Sequence, residues 1–555
     1  VYGDGDGDGD SDDNESLHAG QTKPQCTKAR QENRDDNNDD VNNDNLMVPS
    51  KAAILNKIKW GMLERKSQRI YANAQVDHSR TKTISLSSQS ASTSTSPSVE
   101  EITEFARTQF PYFNNSKSAQ IFLENAGGSQ VPSQVIEHMV NGISHRHRNL
   151  IGSKAKEDAR ATMMTILGGD PSTHTVFLGA NATSLFHTLA ERFVESGYLR
   201  KGDEVVLASE NHMANVIPWQ RIAKRVGAKI FWWTRRSLSE TQCANLNLEY
   251  GTRMSTDLDS LLTVNTRIVC LSHASNVLGS IRDIGALCQI IRRPCPNVQV
   301  VVDGVAACAH LYTDVATLGV DWYVVSCHKL FGPHVGAMCG RTEAAIAIHA
   351  EDSSIMLGTV NYEGCSGIVG LGSYLSILGD GRNESKTGVS LDRTNPNALK
   401  ISQPGDDPVQ QRHSLYAMPK YQKLSTGRLV KSYRHIAKVE RHTSSYILHH
   451  LQNCLHVRLI REDDNDADVT STIPVLSFIH TQISSHDIVQ WCLQHGLIIR
   501  CGYFLSTALL RAEFDTHNQY MEERGGVVRV SLCHYNNMED AKAIIHILGT
   551  MNGWD

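Results

Sequence analysis

Seven short apolar runs, separated by helix-length segments, dominate the middle of the chain: THTVFLG (173–179), DEVVLAS (203–209), AKIFWW (228–233), TRIVCLS (266–272), VQVVVD (298–303), WYVVS (322–326) and VGAMCG (335–340). β-Rich runs in such alternation predict a mostly parallel seven-stranded sheet with helices on both faces, an α/β fold in one large domain.

The flanks differ in character. Residues 1–100 open with GDGDGDGD, pass through DDNNDDVNNDN and close with SLSSQSASTSTSPS. This composition buries too little apolar area to offset ordering entropy, and predicts a disordered, low-complexity region. The large domain is expected over 101–380, starting with helical segments at 102–109 and through VIEHMVNGIS and KAKEDARATMMTIL. A second polar, turn-rich stretch predicts a disordered insertion over 381–420. A helical run, RLVKSYRHIAKVERHTSSYILHHLQN, then leads into STIPVLSFIH, LIIRCGY, GVVRVSLCHY and MEDAKAIIHILGTM, a smaller C-terminal α+β domain over 421–555. The N-terminal helical part is expected to pack with it.

Composition narrows the function. The 54 basic and 59 acidic residues of the 555 nearly cancel, which argues against a nucleic-acid partner. No run of about 18 apolar residues predicts a membrane span. Thirteen cysteines without a Cys-x-x-Cys pair fit buried thiols in a reducing compartment better than disulfides or a metal site, so no metal is expected. Residues 47–98, poor in acids and rich in Lys, Arg and Ser, read as a linker, with an internal transit-like segment as the alternative. A cytoplasmic location is expected, an organellar one being the alternative.

Ligands of open α/β sheets bind beyond the carboxyl ends of the strands. Asp303 ends VQVVVD; Ser326, His328 and Lys329 close or follow WYVVS; His273 and Asn276 follow TRIVCLS. His212 and Asn215 follow DEVVLAS, and Asn181, Thr183 and Ser184 follow THTVFLG where a helix opens. Each has an ordinary structural reading: a turn-capping aspartate, a surface lysine, a satisfied core histidine. Together they suit an anionic aromatic cofactor. A helix N-terminus attracts phosphate, an acid pairs with a protonated ring nitrogen, and a lysine forms an imine with an aldehyde.

VDGVAACAH followed by WYVVSCHKLFGPHVGAM resembles the class V aminotransferases that depend on pyridoxal 5′-phosphate (PLP), in their cysteine desulfurase and selenocysteine lyase branch. ENHMANVIPW, SHASNVLGS and RVSLCHYN extend the resemblance, which covers 105–555 apart from the polar insertion. It implies the fold type I architecture of PLP-dependent transferases. It also implies Lys329 as the Schiff-base lysine that moves the α-proton, Asp303 on the pyridine nitrogen and His212 stacked on the ring. Asn276 would sit near the ring hydroxyl. Ser326 and His328, with the Asn181–Ala182–Thr183 turn, would hold the phosphate. Arg529 would bind the substrate α-carboxylate with its two-toothed fork. Gly127 and Gly128 would let the backbone approach the substrate. Gly358 and Thr359 would reach a neighbouring subunit's phosphate, implying a homodimer.

Two positions depart from the family pattern. Ala306 stands where Gln or His often faces the cofactor, a loss of about 1 kcal/mol of hydrogen bonding. Desulfurases carry a nucleophilic cysteine on an Arg-x-Gly-x-x-Cys loop; here Arg500-Cys501-Gly502-Tyr503-Phe504-Leu505 puts Leu505 in its place. Cys501 is the alternative sulfur carrier. The expectation is a PLP enzyme acting on a small amino acid by lyase, desulfurase-like or transaminase chemistry. The alternative is a PLP-binding or scaffold protein without turnover.

Overall fold

A computed structural model describes residues 96–114, 120–144, 148–235, 253–380, 424–461, 472–510 and 524–554. The acidic and Ser-rich stretch up to residue 95 and the polar insertion lie outside these residues.

The apolar runs form the strands expected of them: β2 (His174–Gly179), β3 (Glu204–Ala208), β4 (Lys229–Trp233), β6 (Thr266–Ser272), β7 (Gln299–Asp303), β8 (Trp322–Ser326) and β9 (Gly336–Arg341). An eighth, β5 (Arg253–Ser255), adds an edge that the seven-run pattern did not contain. The sheet order is β2-β9-β8-β7-β6-β3-β4-β5, and only β9 runs antiparallel to its neighbours. Neighbouring residues on the strands serve opposite faces. Val206, Val269, Val300 and Val302 join one apolar core; Val205, Ile268, Cys270 and Val301 join the other. Each fully buried valine contributes about 1.5–3 kcal/mol, which explains runs apolar at every position.

A short strand β1 (Ile121–Phe122) pairs in parallel with β12 (Leu497–Ile498). A separate antiparallel sheet follows the order β10 (Val457–Leu459), β11 (Val475–His480), β14 (Val527–Ser531) and β13 (Arg500–Gly502). Its core, with Phe478, Val528 and Val530, is closed by Ile447 and Leu448 of the helix Thr426–Gln452 and by Ile544 of the helix Met538–Gly549. The helix Val99–Gln109 opens on a Ser98–Glu101 capping box, which satisfies two otherwise orphaned N–H groups. Its Arg107 reaches Asp540 at 2.8 Å and the Tyr535 carbonyl at 2.9 Å.

Candidate active site

Strand register brings the chemistry together. Ser272 lies beside Asp303, and Asp303 beside Val324, so β6 and β7 end level while β8 runs on two residues to Ser326. Beyond those ends lies a cavity of about 200 Å³. Asn181, Ala182 and Thr183 line one part, Ser326, His328 and Lys329 another, and His212, Asn276, Asp303 and Ala306 are among the other lining residues. Positions spread over 150 residues of sequence therefore meet because parallel strands all point their carboxyl ends the same way.

The helix after β2, Ala182–Glu195, is capped by Asn181, whose side chain accepts from the Ser184 N–H at 2.8 Å. Its first turn points N–H groups and a positive dipole end outward. The turn packs tightly on β9. A Cβ at Gly336 would stand 2.5 Å from the Asn181 carbonyl carbon, so a side chain there would displace the turn. The Ser326 hydroxyl and His328 Nδ1 lie 2.8 Å apart, and the His328 ring stacks on His334 with centroids 5.0 Å apart. Burial and the neighbouring Lys329 pull the His328 pKa down to about 4. His212 Nδ1 accepts the Ala214 N–H at 3.1 Å, and burial, then Lys329 and Arg529, lower it to about 4. Both rings are neutral at pH 7.

Asp303 is buried and accepts the Val305 N–H at 2.9 Å. Burial pushes its carboxyl up to about 6, against that hydrogen bond and the charge of Lys329. Lys329 is pulled below the usual lysine range, by burial first and then by Arg529. A lysine of this kind offers more neutral amine at pH 7 than a surface lysine does.

Arg529 lies mid-strand on β14, 2% exposed, beside the cavity and not in its lining. Its Nη1 donates to the Asn276 carbonyl at 3.2 Å. Its Nη2 donates to Glu124 Oε1 at 2.8 Å, and the Phe504 ring covers the guanidinium at 3.8 Å. A Cβ at Gly127 would fall 2.1 Å from the Glu124 carboxylate; one at Gly128 would come within 3.5 Å of the His328 ring. Gly358 (φ +85°) and Thr359 are exposed and do not line this chain's cavity.

Three strand-end residues singled out in the sequence serve the framework. His273 Nδ1 pairs with the Tyr323 hydroxyl at 2.6 Å, away from the cavity lining. Asn215 bridges the Leu271 carbonyl at 3.2 Å and the Trp219 indole at 2.9 Å. Ser184 completes the capping box of its helix. Sequence position alone did not separate these from their neighbours.

The loop 503–506 is tied to Asn276 of the cavity lining and to Met213. Asn276 Nδ2 donates to the Phe504 carbonyl at 2.9 Å, Ser506 Oγ to Asn276 Oδ1 at 2.8 Å, and the Met213 N–H to the Leu505 carbonyl at 2.7 Å. Phe504 (φ +50°) and Leu505 (φ +54°) are both left-handed, which costs roughly 1–2 kcal/mol per residue. Leu505 is 59% exposed. Cys501 is half-buried and burial raises its thiol pKa. No disulfide forms among the described residues. His310, Glu440 and Cys533 do meet, fully buried, with His310 Nδ1 3.0 Å from both Glu440 oxygens. No Cys-x-x-Cys spacing announces that cluster.

The aminotransferase class-V family model matches residues 121–366 and 429–544. An aminotransferase-like protein of Gibberella zeae is 27% identical over 464 residues, covering 80% of this chain and 96% of that protein. A probable cysteine desulfurase of Vibrio cholerae is 25% identical over 456 residues, covering 79% and 96%. A crystal structure of a cysteine desulfurase from Escherichia coli superposes with a TM-score of 0.56 at 20% identity, over 80% of this chain and 97% of that one, a likeness of fold. Matched over more than half of its length, the chain belongs to the aminotransferase class-V family, as a PLP-dependent, cysteine desulfurase-like protein.

Proposed function

We propose that the chain is an enzyme that uses PLP to act on a small amino acid, with Lys329 as the catalytic lysine. The observation that carries this is the meeting of a buried carboxylate, Asp303, and a depressed lysine, Lys329, on one cavity.

The residues fit the cofactor. Asp303 is a buried acid whose charge is costly without a cationic partner, and a pyridinium supplies one. The Asn181–Thr183 helix start, with Ser326 and His328, suits a phosphate. The neutral His212 ring is a stacking surface. Bound there, PLP supplies an electron sink for the substrate's α-carbon. Asp303 holds the ring nitrogen in its protonated state. Lys329, its pKa lowered by burial, takes and returns the α-proton. Arg529 is the seat of the α-carboxylate, oriented by the Asn276 carbonyl. Gly358 and Thr359 are exposed on this chain, which leaves them free to serve a second subunit.

Sulfur transfer by a loop cysteine is disfavoured. Leu505 holds the loop tip, and the raised Cys501 pKa leaves little thiolate at neutral pH. Reactions that need only the lysine and the sink fit better: α,β-elimination first, with transamination and epimerisation as related outcomes.

The test is the purified protein incubated with PLP. A visible band and a borohydride-fixed adduct on Lys329 are expected, both lost in Lys329→Ala. Their absence in the wild-type protein ends the proposal. Screening amino acids for a change in that band then identifies the substrate, and sulfide release from cysteine tests the elimination reading.

A further inference from the structure

Arg529 is already neutralised. Its Nη2 grips the Glu124 carboxylate at 2.8 Å, and the Phe504 ring closes its face. Burial at 2% exposure removes water as a competing partner. A second carboxylate cannot join without leaving two anions on one buried cation, which low dielectric makes costly.

The structure also holds an exit for Glu124. Arg500 lies directly opposite Arg529 across the β13–β14 ladder, and its Nη1 stands 3.9 Å from the same Glu124 oxygen. The Arg500 side chain is 65% exposed, so a carboxylate moved onto it returns to water. Two like charges facing each other on paired strands repel, and one carboxylate between them relieves this. Gly127 makes the inner seat possible, since a Cβ there would collide with the Glu124 carboxylate at 2.1 Å.

We propose that Glu124 is a specificity-determining gate: it occupies the substrate's carboxylate seat on Arg529, and an incoming carboxylate displaces it onto Arg500. This rests on the reading of Arg529 as the carboxylate seat. The gate favours guests whose carboxylate pairs with Arg529 Nη2 in place of Glu124. It turns away uncharged amines, which gain nothing from Arg529 and leave Glu124 where it is.

The test uses PLP-loaded protein and calorimetric titration with propionate, a carboxylate without an amine, and with propionamide as the uncharged control. E124Q is expected to tighten propionate binding by about tenfold or more, because a charge-assisted bond no longer has to be broken first. Propionamide affinity stays unchanged. R500A is expected to weaken propionate binding when Glu124 is present and to have no effect in the E124Q background, a coupling that simple loss of positive charge does not produce. Arg500 is exposed, so R500A reports on the gate even if E124Q fails to fold. Propionate affinity that is unchanged, lower or undetectable in E124Q overturns the proposal. So does an R500A effect that is absent in the wild-type background or equal in both. Failure of the enzyme reading looks different: propionate would behave as stated, while no amino acid perturbs the cofactor band.

Discussion

Asp303→Asn separates what the acid costs the protein from what it gives the cofactor. In the cofactor-free protein, burial raises the Asp303 carboxyl from 3.8 to about 6. The folded protein therefore holds this proton more tightly than the unfolded chain does. As the pH rises through that interval the unfolded chain loses its proton first, and folding stability falls until about pH 6, then levels off. A rise of this size corresponds to a penalty of about 3 kcal/mol at pH 7.5 and about 1 kcal/mol at pH 4.5. Asparagine keeps an oxygen for the Val305 N–H and carries no charge. Urea unfolding of cofactor-free protein should therefore find Asp303→Asn more stable than wild type by up to about 3 kcal/mol at pH 7.5, with the gap shrinking by about two thirds at pH 4.5. With PLP bound the order should reverse, because only the aspartate gains a cationic partner. A cofactor-free Asp303→Asn protein no more stable than wild type at pH 7.5 refutes the reasoning. So does PLP stabilising both proteins equally.

Cys501→Ala should leave any sulfide release from cysteine unchanged, since burial leaves that thiol protonated; loss of release assigns it the sulfur-carrying role after all. Gly336→Ala should weaken PLP binding in equilibrium dialysis and destabilise the protein by about 1–3 kcal/mol, because its Cβ meets Asn181 backbone at 2.5 Å; unaltered retention means the turn does not seat the phosphate.

The sheet was readable because its strands are buried on both faces, so periodicity and length marked seven of eight. β5 escaped, being three residues long with a charged first position. Asp303 and Lys329 drew attention because a polar residue at or just past the end of an apolar run stands out at a strand's carboxyl end, and both line the cavity. The same signal marked His273, whose partner Tyr323 lies on another strand 50 residues away and leaves no local trace. Glu124 went unnoticed for the same reason. Its meaning comes from Arg529, 405 residues later, and from Arg500 across the ladder. Pairings made by topology are invisible to spacing.

The loop 503–506 is held to the cavity mouth through the carbonyl oxygens of Phe504 and Leu505. Closure therefore does not depend on which side chain sits at residue 505, which points outward and forms none of those bonds. The tip behaves as an exchangeable cartridge on a fixed hinge: its side chain can be replaced without altering how the mouth shuts.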